Sequence, residues 1–274
     1  MITALPRIAI AVEDFDQAMI FFRDQLGLAV ADISVSSAAD LGAKIGVCVP
    51  EGGSNIEIMS PCDPEKPLSQ SLSRFLGRRG EGLFALMLES PDPNAEADDL
   101  TKAGLKVMPL MPGAGGRDIH PNSTHGVLIR IYPENSFDRQ EPKTKLDIGI
   151  TGIISVGVAV QNLDGATAIY SDQLDMRALE SRHDGEPGIT SRGLQPLKGA
   201  CVDLFTLDGS MLGEGLNQNG EGMKRLTLSA PDLSACYRAL IDRKVEARLE
   251  NDRIVIGSPF LGGARLEIVS RQGF

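Results

Sequence analysis

The residue types that most often carry out catalytic or metal chemistry are sparse in this chain. It has three histidines and four cysteines, and none of them forms an HxH, HxxxH, HExxH or CxxC pair. The phosphate-binding P-loop and the GxSxG nucleophile elbow are also absent. Most locally encoded enzyme sites are thereby excluded, so any site must be assembled from distant segments. The histidines and cysteines are His120, His125, His183, Cys48, Cys62, Cys201 and Cys236.

One glycine-rich segment is suited to hold an anion. The backbone N–H groups of residues 113–116, which include Gly115 and Gly116, could face a phosphate group. The alternative is a flexible turn between two strands. Upstream, Arg78 and Arg79 either assist an anionic ligand or end a solvated helix.

Composition bounds the class of protein. The 274 residues suit one large domain or two smaller ones, and the formal net charge is 27 − 37 = −10. This charge disfavours nucleic acid and anionic membrane surfaces as partners. Apolar runs are short, as at residues 8–12, and the N-terminus has no export-signal pattern. With four scattered cysteines expected to be reduced, we predict a cytoplasmic protein.

The elements that would position a site occur twice. Residues 8–16 return as residues 156–164, with an offset of 160 − 12 = 148. Each copy predicts an alternating strand followed by an amphipathic helix, with Asp14 and Asn162 as N-caps and Gly27 ending the first helix. A second pair of segments, at residues 90–92 and 230–232, repeats with an offset of 231 − 91 = 140.

These repeats predict four β-α-β-β-β units in two pairs. We expect an α+β protein with one domain at residues 1–133, a polar linker at 134–148 and a second domain at 149–274.

Several segments of the first half resemble, in order, the vicinal-oxygen-chelate (glyoxalase/bleomycin-resistance) superfamily and, within it, the methylmalonyl-CoA epimerases. The resemblance spans residues 7–132, while the second half resembles the family mainly in its opening strand and helix and its closing strand. It implies two tandem glyoxalase-like domains with cupped mixed sheets and a ligand site inside each cup. Four units are also the layout of extradiol dioxygenases. The segments are 8–14, 22–27, 56–61, 78–83, 112–116, 120–123 and 126–129.

The resemblance also implies four metal-ligand positions in each half, one on each of four strands. In the first half they hold Arg7, Glu57, Ala85 and Arg130, and in the second Ser155, Asp203, Arg225 and Glu267. Neither set contains a histidine, and arginine cannot ligate a cation. We therefore expect no divalent metal and no other cofactor. The epimerase acids are also missing from the first half, where their positions fall at Arg130 and near Lys44 or Ile45.

The substituted positions have two interpretations in each cup. In the first cup, either Arg7, Glu57 and Arg130 form a structural ion-pair plug, or one arginine receives a substrate carboxylate or phosphate. In the second cup, either Asp203, Arg225 and Glu267 form a structural network, or their excess carboxylate acts as a base. His120 is a further candidate, acting with Glu57, although a lone histidine is more often a packing or hydrogen-bonding residue.

Two classes of function remain open. The leading hypothesis is a metal-independent protein that acts on a small anionic or CoA-linked metabolite by proton transfer, as an isomerase, epimerase or lyase does. The alternative is a non-catalytic, ligand-sequestering protein like the bleomycin-resistance members, and a fully plugged structural paralogue is a third possibility. A metal-dependent epimerase or extradiol dioxygenase fits less well. The expected partner is a small molecule, an acyl-CoA or a carboxylate, and the protein is a monomer or homodimer.

Overall fold

The computed structural model describes residues 1–35, 39–50, 53–111, 113, 115–136, 148–182, 189–207 and 220–270. Most of the expected linker, at 137–147, and His183 lie outside the described residues.

The first half forms a seven-stranded mixed sheet with the order β2-β3-β4-β1-β5-β7-β6. Strand β1 is parallel to β4 and antiparallel to β5. The elements are β1 (Ala4–Ala11), α1 (Phe15–Ile20), β2 (Val30–Asp32), β3 (Ala43–Cys48), β4 (Asn55–Pro61), α2 (Pro67–Arg79), β5 (Gly82–Ser90), α3 (Pro93–Lys102), β6 (Arg117–Ile119) and β7 (Leu128–Pro133).

The second half forms an eight-stranded sheet with the order β13-β14-β15-β12-β8-β11-β10-β9. This sheet follows the predicted β-α-β-β-β units in full. In the first sheet, the second unit has one strand fewer, and an isolated bridge between Val107 and Ile119 stands in its place. The α+β fold with two similar halves and cupped sheets is confirmed. The elements are β8 (Gly152–Ala159), α4 (Leu163–Ala168), β9 (Arg177–Arg182), β10 (Ile189–Gln195), β11 (Cys201–Leu207), β12 (Gly222–Ser229), α5 (Leu233–Asp242), β13 (Ala247–Glu250), β14 (Arg253–Ile256) and β15 (Arg265–Val269).

Local signals in the repeated segments are confirmed. The Asp14 side chain accepts a hydrogen bond from Gln17 N, and the Asn162 side chain accepts one from Gly165 N. Both helices continue as a π-helical turn, Phe21–Gln25 in the first half and Ile169–Gln173 in the second. Gly27 then adopts a φ of 65°, a left-handed conformation that favours glycine.

Helix α2 covers the cup face of the first sheet, meaning the face that bears Ala9 and Ala85. Its buried side chains Leu68, Leu72 and Leu76 pack there in one apolar cluster. Strand β1 is consequently buried on both faces, which explains its nearly unbroken apolar sequence. Their four-residue spacing places these leucines on one face of the helix, which begins at Pro67.

The opposite faces of the two sheets share one hydrophobic core, to which helices of both halves contribute. Phe21 of the first half contacts Phe260 of the second, with ring centroids 5.6 Å apart. The Tyr170 hydroxyl donates to Thr124 O at 3.2 Å, again across the halves. The two sheets are therefore joined by packed side chains.

Two backbone crossings bring the halves together at their Gly-Glu-Gly turns, residues 80–82 and 220–222. A Cβ on Gly126 would overlap Glu221 O, and a Cβ on Gly262 would overlap Glu81 O. Each turn glutamate also accepts a backbone hydrogen bond within its own half, Glu81 from Glu13 N and Glu221 from Gln161 N, both at 2.7 Å. The crossings leave room for glycine only.

His125 lies at one of these crossings. Its Nδ1 is 3.0 Å from Glu221 Oε1, and its side chain is only 16% exposed. His125 is therefore not a solvated histidine at a hairpin end, because the loop that carries it packs against the other half.

None of the helices in the described segments combines the length and apolar character needed to cross a bilayer.

We predict that Gly126→Ala destabilises the protein more than Gly104→Ala. Both glycines have positive φ values, 80° and 93°, so each alanine carries a backbone cost of about 1–2 kcal/mol. A Cβ on Gly104 meets nothing within 4 Å, whereas one on Gly126 overlaps a carbonyl oxygen of the other half. The extra cost in Gly126→Ala should be about 1–3 kcal/mol. Urea unfolding measures both values, and equal losses would show that the crossing is not tightly packed.

Candidate functional site

Strand register places the site positions of the two halves at matching points. Ala9 of β1 pairs with Glu57 of β4, and Gly157 of β8 pairs with Asp203 of β11. Because 157 − 9 = 148, the structural register reproduces the sequence repeat. Asp203 therefore occupies the position in the second half that Glu57 occupies in the first.

The other two strands match in the same way. Ala85 pairs with Ala9, and Arg225 pairs with Gly157. On the closing strands, Arg130 lies beside Met87 and Glu267 lies beside Thr227. All eight positions inferred from the resemblance thus lie on equivalent strands of the two cups.

The first cup holds two buried ion pairs. Arg7 Nη1 lies 3.0 Å from Glu57 Oε2. Arg130 forms a forked pair with Asp118, with Nε–Oδ1 at 2.7 Å and Nη2–Oδ2 at 3.3 Å. Both arginines have a carboxylate partner, which favours the structural interpretation over an arginine that waits for a substrate.

Burial and nearby charges set the electrostatics of this cup. Arg130 is 2% exposed; burial alone would lower its pKa, but Tyr132 and Asp118 outweigh burial and raise it. Burial raises the pKa of the Tyr132 hydroxyl. The Arg7 guanidinium lies 4.6 Å from the centre of the Tyr132 ring. Asp118 and Tyr132 were not predicted, because no local pattern marks them.

Lys44 and Ile45 separate to opposite faces of β3. Ile45 belongs to the apolar cluster under α2, whereas Lys44 Nζ lies 3.8 Å from Asp16 Oδ2 near helix α1. The cup position is therefore apolar, and it supplies no carboxylate or other base.

The second cup has a different charge arrangement. Arg225 Nη2 pairs with Asp203 Oδ2, and the Arg225 guanidinium lies 5.1 Å from the centre of the Phe205 ring. Glu267 is 1% exposed and lies between two arginines. Its Oε1 is 2.7 Å from Arg265 Nε, and its Oε2 is 3.3 Å from Arg253 Nη1.

The expectation of an excess carboxylate in this cup is therefore wrong. The sequence argument set Asp203 and Glu267 against Arg225 alone. Arg253 of β14 and Arg265 of β15 add two positive charges at Glu267, so the acids do not outnumber the arginines.

Ser155, at the opening-strand position of the second cup, is buried without a hydrogen-bond partner. It is 1% exposed, and its Oγ has no partner among the described residues. It lies between Cys201 of β11 and Thr227 of β12 in the pairing register. Every other polar side chain at the eight positions is in an ion pair.

His120 and the glycine segment lie away from these pairs. His120 Nδ1 accepts from Asn122 N at 3.1 Å and so caps its own loop, and within the described chain it does not bond to Glu57. Burial and the nearby Lys106 lower the His120 pKa. Gly116 is buried against Ile131 O and the Tyr132 ring, while a Cβ on Gly115 would meet nothing within 4 Å. Residues 112 and 114 of this segment lie outside the described residues.

Comparison with known proteins matches this architecture. The model of the Glyoxalase/Bleomycin resistance protein/Dioxygenase superfamily matches residues 7–120. This match covers most of the first half of the chain. Mouse mitochondrial methylmalonyl-CoA epimerase is 26% identical over 132 residues, which cover 46% of this chain and 71% of that protein.

Solved structures share the whole tandem fold of this chain. A mutant of 4-hydroxymandelate synthase from Streptomyces coelicolor superimposes with a TM-score of 0.68 and 18% identity, covering 99% of this chain and 93% of that one. A xylose isomerase-like TIM barrel/4-hydroxyphenylpyruvate dioxygenase fusion protein superimposes with a TM-score of 0.65 and 15% identity. That match covers 98% of this chain and 49% of the fusion protein. At these identities the likeness concerns the fold alone.

The metal site that the superfamily resemblance implies does not fit the residues present. Three of the inferred ligand positions hold arginines, namely Arg7, Arg130 and Arg225. An arginine side chain offers no lone pair to a cation. Glu57, Asp203 and Glu267 are engaged by arginines. Across the part of the chain that the structure describes, no three His, Cys, Asp or Glu side chains cluster as a metal site.

We predict that Asp118→Asn costs about 3–5 kcal/mol of stability, because it leaves Arg130 buried without a carboxylate. The double variant Asp118→Leu/Arg130→Met should lose much less, since no buried charge then lacks a partner. Chemical unfolding of both variants gives the comparison. If the double variant is no more stable than Asp118→Asn, the forked pair is not what makes the single variant costly.

Proposed function

We propose that the second cup binds a small anionic or CoA-linked metabolite and moves a proton on it without a metal ion, as an isomerase, epimerase or lyase does. The observation that carries this proposal is the buried Ser155 hydroxyl, which has no hydrogen-bond partner in the described chain. A cytoplasmic location is part of the proposal and rests on the four scattered cysteines.

The Ser155 hydroxyl supports binding in this cup. A buried hydroxyl without a partner costs about 1–3 kcal/mol, and a ligand oxygen or N–H at this point would remove that cost. The hydroxyl can donate or accept, and it shares the cup with Arg225. Arg225 is held in place by Asp203 and stacks near Phe205, so it can orient an anionic group.

The acids of this cup support proton transfer. Asp203 and Glu267 are the carboxylates at its four inferred positions, and positioned carboxylates act as general bases. The first cup offers one equivalent carboxylate, Glu57, but its closing-strand position is Arg130 and its third-strand position is apolar Ile45. Similarity to an epimerase therefore suggests a reaction class, while the roles of the acids must come from the second half.

Binding without turnover is the second candidate. The contacts that favour it are the ion pairs themselves, since Glu267 lies between Arg253 and Arg265 and Asp203 is engaged by Arg225. In this candidate, the acids serve as fixed charges that shape a pocket. Ligand binding without proton exchange would select this candidate.

The first test is metal content. Elemental analysis of the purified protein should find no stoichiometric metal, and Zn²⁺, Ni²⁺, Co²⁺ and Mn²⁺ should not raise its melting temperature, because arginines occupy ligand positions. Stoichiometric metal, or a metal-dependent rise in melting temperature, would contradict the metal-independent proposal.

The second test is proton exchange. In D₂O, the protein should exchange a substrate proton in a panel of acyl-CoA thioesters and 2-oxo acids. Glu267→Gln and Asp203→Asn should each slow this exchange by roughly a hundredfold or more. Ser155→Ala should weaken binding of the same substrate by about tenfold.

Asp99→Asn is the matched control for these variants. Asp99 is an exposed acid that pairs with Lys102 on α3, far along the chain from the second cup. Its exchange rate should equal that of the wild type. Exchange that survives both acid variants, confirmed as folded by thermal melting, would place the chemistry elsewhere.

A further inference from the structure

A small cavity lies at the junction of the two halves, and none of the eight cup positions lines it. Its volume is about 60 Å³, roughly twice the share of one water molecule in the liquid. It has room for a single phosphate-sized group but not for a whole coenzyme. The side chains and backbone that line it include Phe75, Arg79, Glu81, Lys224, Leu261 and Gly262.

Two cations from different halves face this cavity. Arg79 ends helix α2 of the first half, and its Nη1 lies against Gly222, 3.2 Å from where a Cβ would stand. Lys224 belongs to β12 of the second half. Within the described residues, neither side chain makes a hydrogen bond or ion pair with a carboxylate.

A β-bulge directs Lys224 to this place. In β12 the register skips Lys224 between Met223 and Arg225, and β5 has the matching bulge at Phe84. Phe84 packs edge to face on Phe75, with ring centroids 5.2 Å apart. The second half thus has a lysine where the first half has a buried aromatic residue.

The cluster has a charge imbalance. Burial lowers the pKa of Lys224, and the neighbouring Arg79 lowers it further. Glu81 is the acid that lines the cavity, and its Oε1 accepts from Glu13 N at 2.7 Å. Two cations against one carboxylate leave a net positive charge at the cavity, where Lys224 is half-buried and Arg79 is exposed.

We propose that the junction cavity binds a compact oxyanion, a phosphate group, between Arg79 of the first half and Lys224 of the second. The anion would offset the repulsion between the two cations and bridge the halves through charge-assisted hydrogen bonds. This site is independent of the second cup, and its test does not require the substrate of the protein.

The test uses inorganic phosphate with the full chain, titrated by calorimetry and by thermal melting against sodium chloride at equal ionic strength. We expect a saturable rise in melting temperature with phosphate. Arg79→Gln and Lys224→Gln should each weaken phosphate binding by about tenfold or more. The matched control is Arg78→Gln, an exposed neighbour on α2 that does not line the cavity, and it should stay within about twofold of wild type.

Two further measurements sharpen the result. Lys224→Gln should melt no lower than wild type in phosphate-free buffer, because it removes a repelled, partly buried cation. A parallel titration with methyl phosphate distinguishes the two sources of the phosphate group. Binding comparable to that of inorganic phosphate indicates a phosphorylated metabolite, whereas exclusion of methyl phosphate indicates free phosphate. The proposal is overturned by the absence of saturable binding to wild type, by an equal loss in Arg78→Gln, or by a lower melting temperature of phosphate-free Lys224→Gln.

Discussion

The contact of backbone with backbone at the two Gly-Glu-Gly turns is the constraint on which the rest of the molecule depends. At these crossings Gly126 lies against Glu221 and Gly262 lies against Glu81, with no space for a side chain. The crossings set the distance between the halves, so that helices of both can fill one apolar core. They also bring the end of α2 next to the start of β12, which creates the junction cavity.

The two cups show how one framework can carry opposite charges at the same positions. Arg130 and Glu267 lie at equivalent places on the closing strands. Asp118 stands opposite Arg130, whereas apolar Val255 stands opposite Glu267. Glu267 instead pairs with Arg265 of its own strand and Arg253 of the neighbouring strand. Each cup neutralises its buried charge with different partners, although the strand registers are the same.

The sequence predicted those features that local patterns encode. Repeated strand and helix periodicity, with N-caps at Asp14 and Asn162, was sufficient for the four units and for the position of Asp203. Partners on neighbouring strands were not predictable in this way. The contact of Asp118 with Arg130 depends on the register of β6 against β7, which a three-residue strand does not specify by pattern. Arg253, on the neighbouring β14, was missed beside Glu267 for the same reason. Arg265 lies two residues before Glu267 on β15, a spacing that places both side chains on one face and could have revealed the pair.

The short edge strand also explains why charges remain in the first cup. Buried ion pairs add little net stability over apolar residues of similar volume, so stability alone does not account for Arg130 and Asp118. Their forked geometry, however, is satisfied in one register only, and it therefore fixes how the three-residue β6 pairs with β7. In the second half, β14 is already held between β13 and β15 by backbone pairing. Its closing-strand charge is therefore not needed to set a register, and Glu267 pairs with arginines and not with the facing residue Val255.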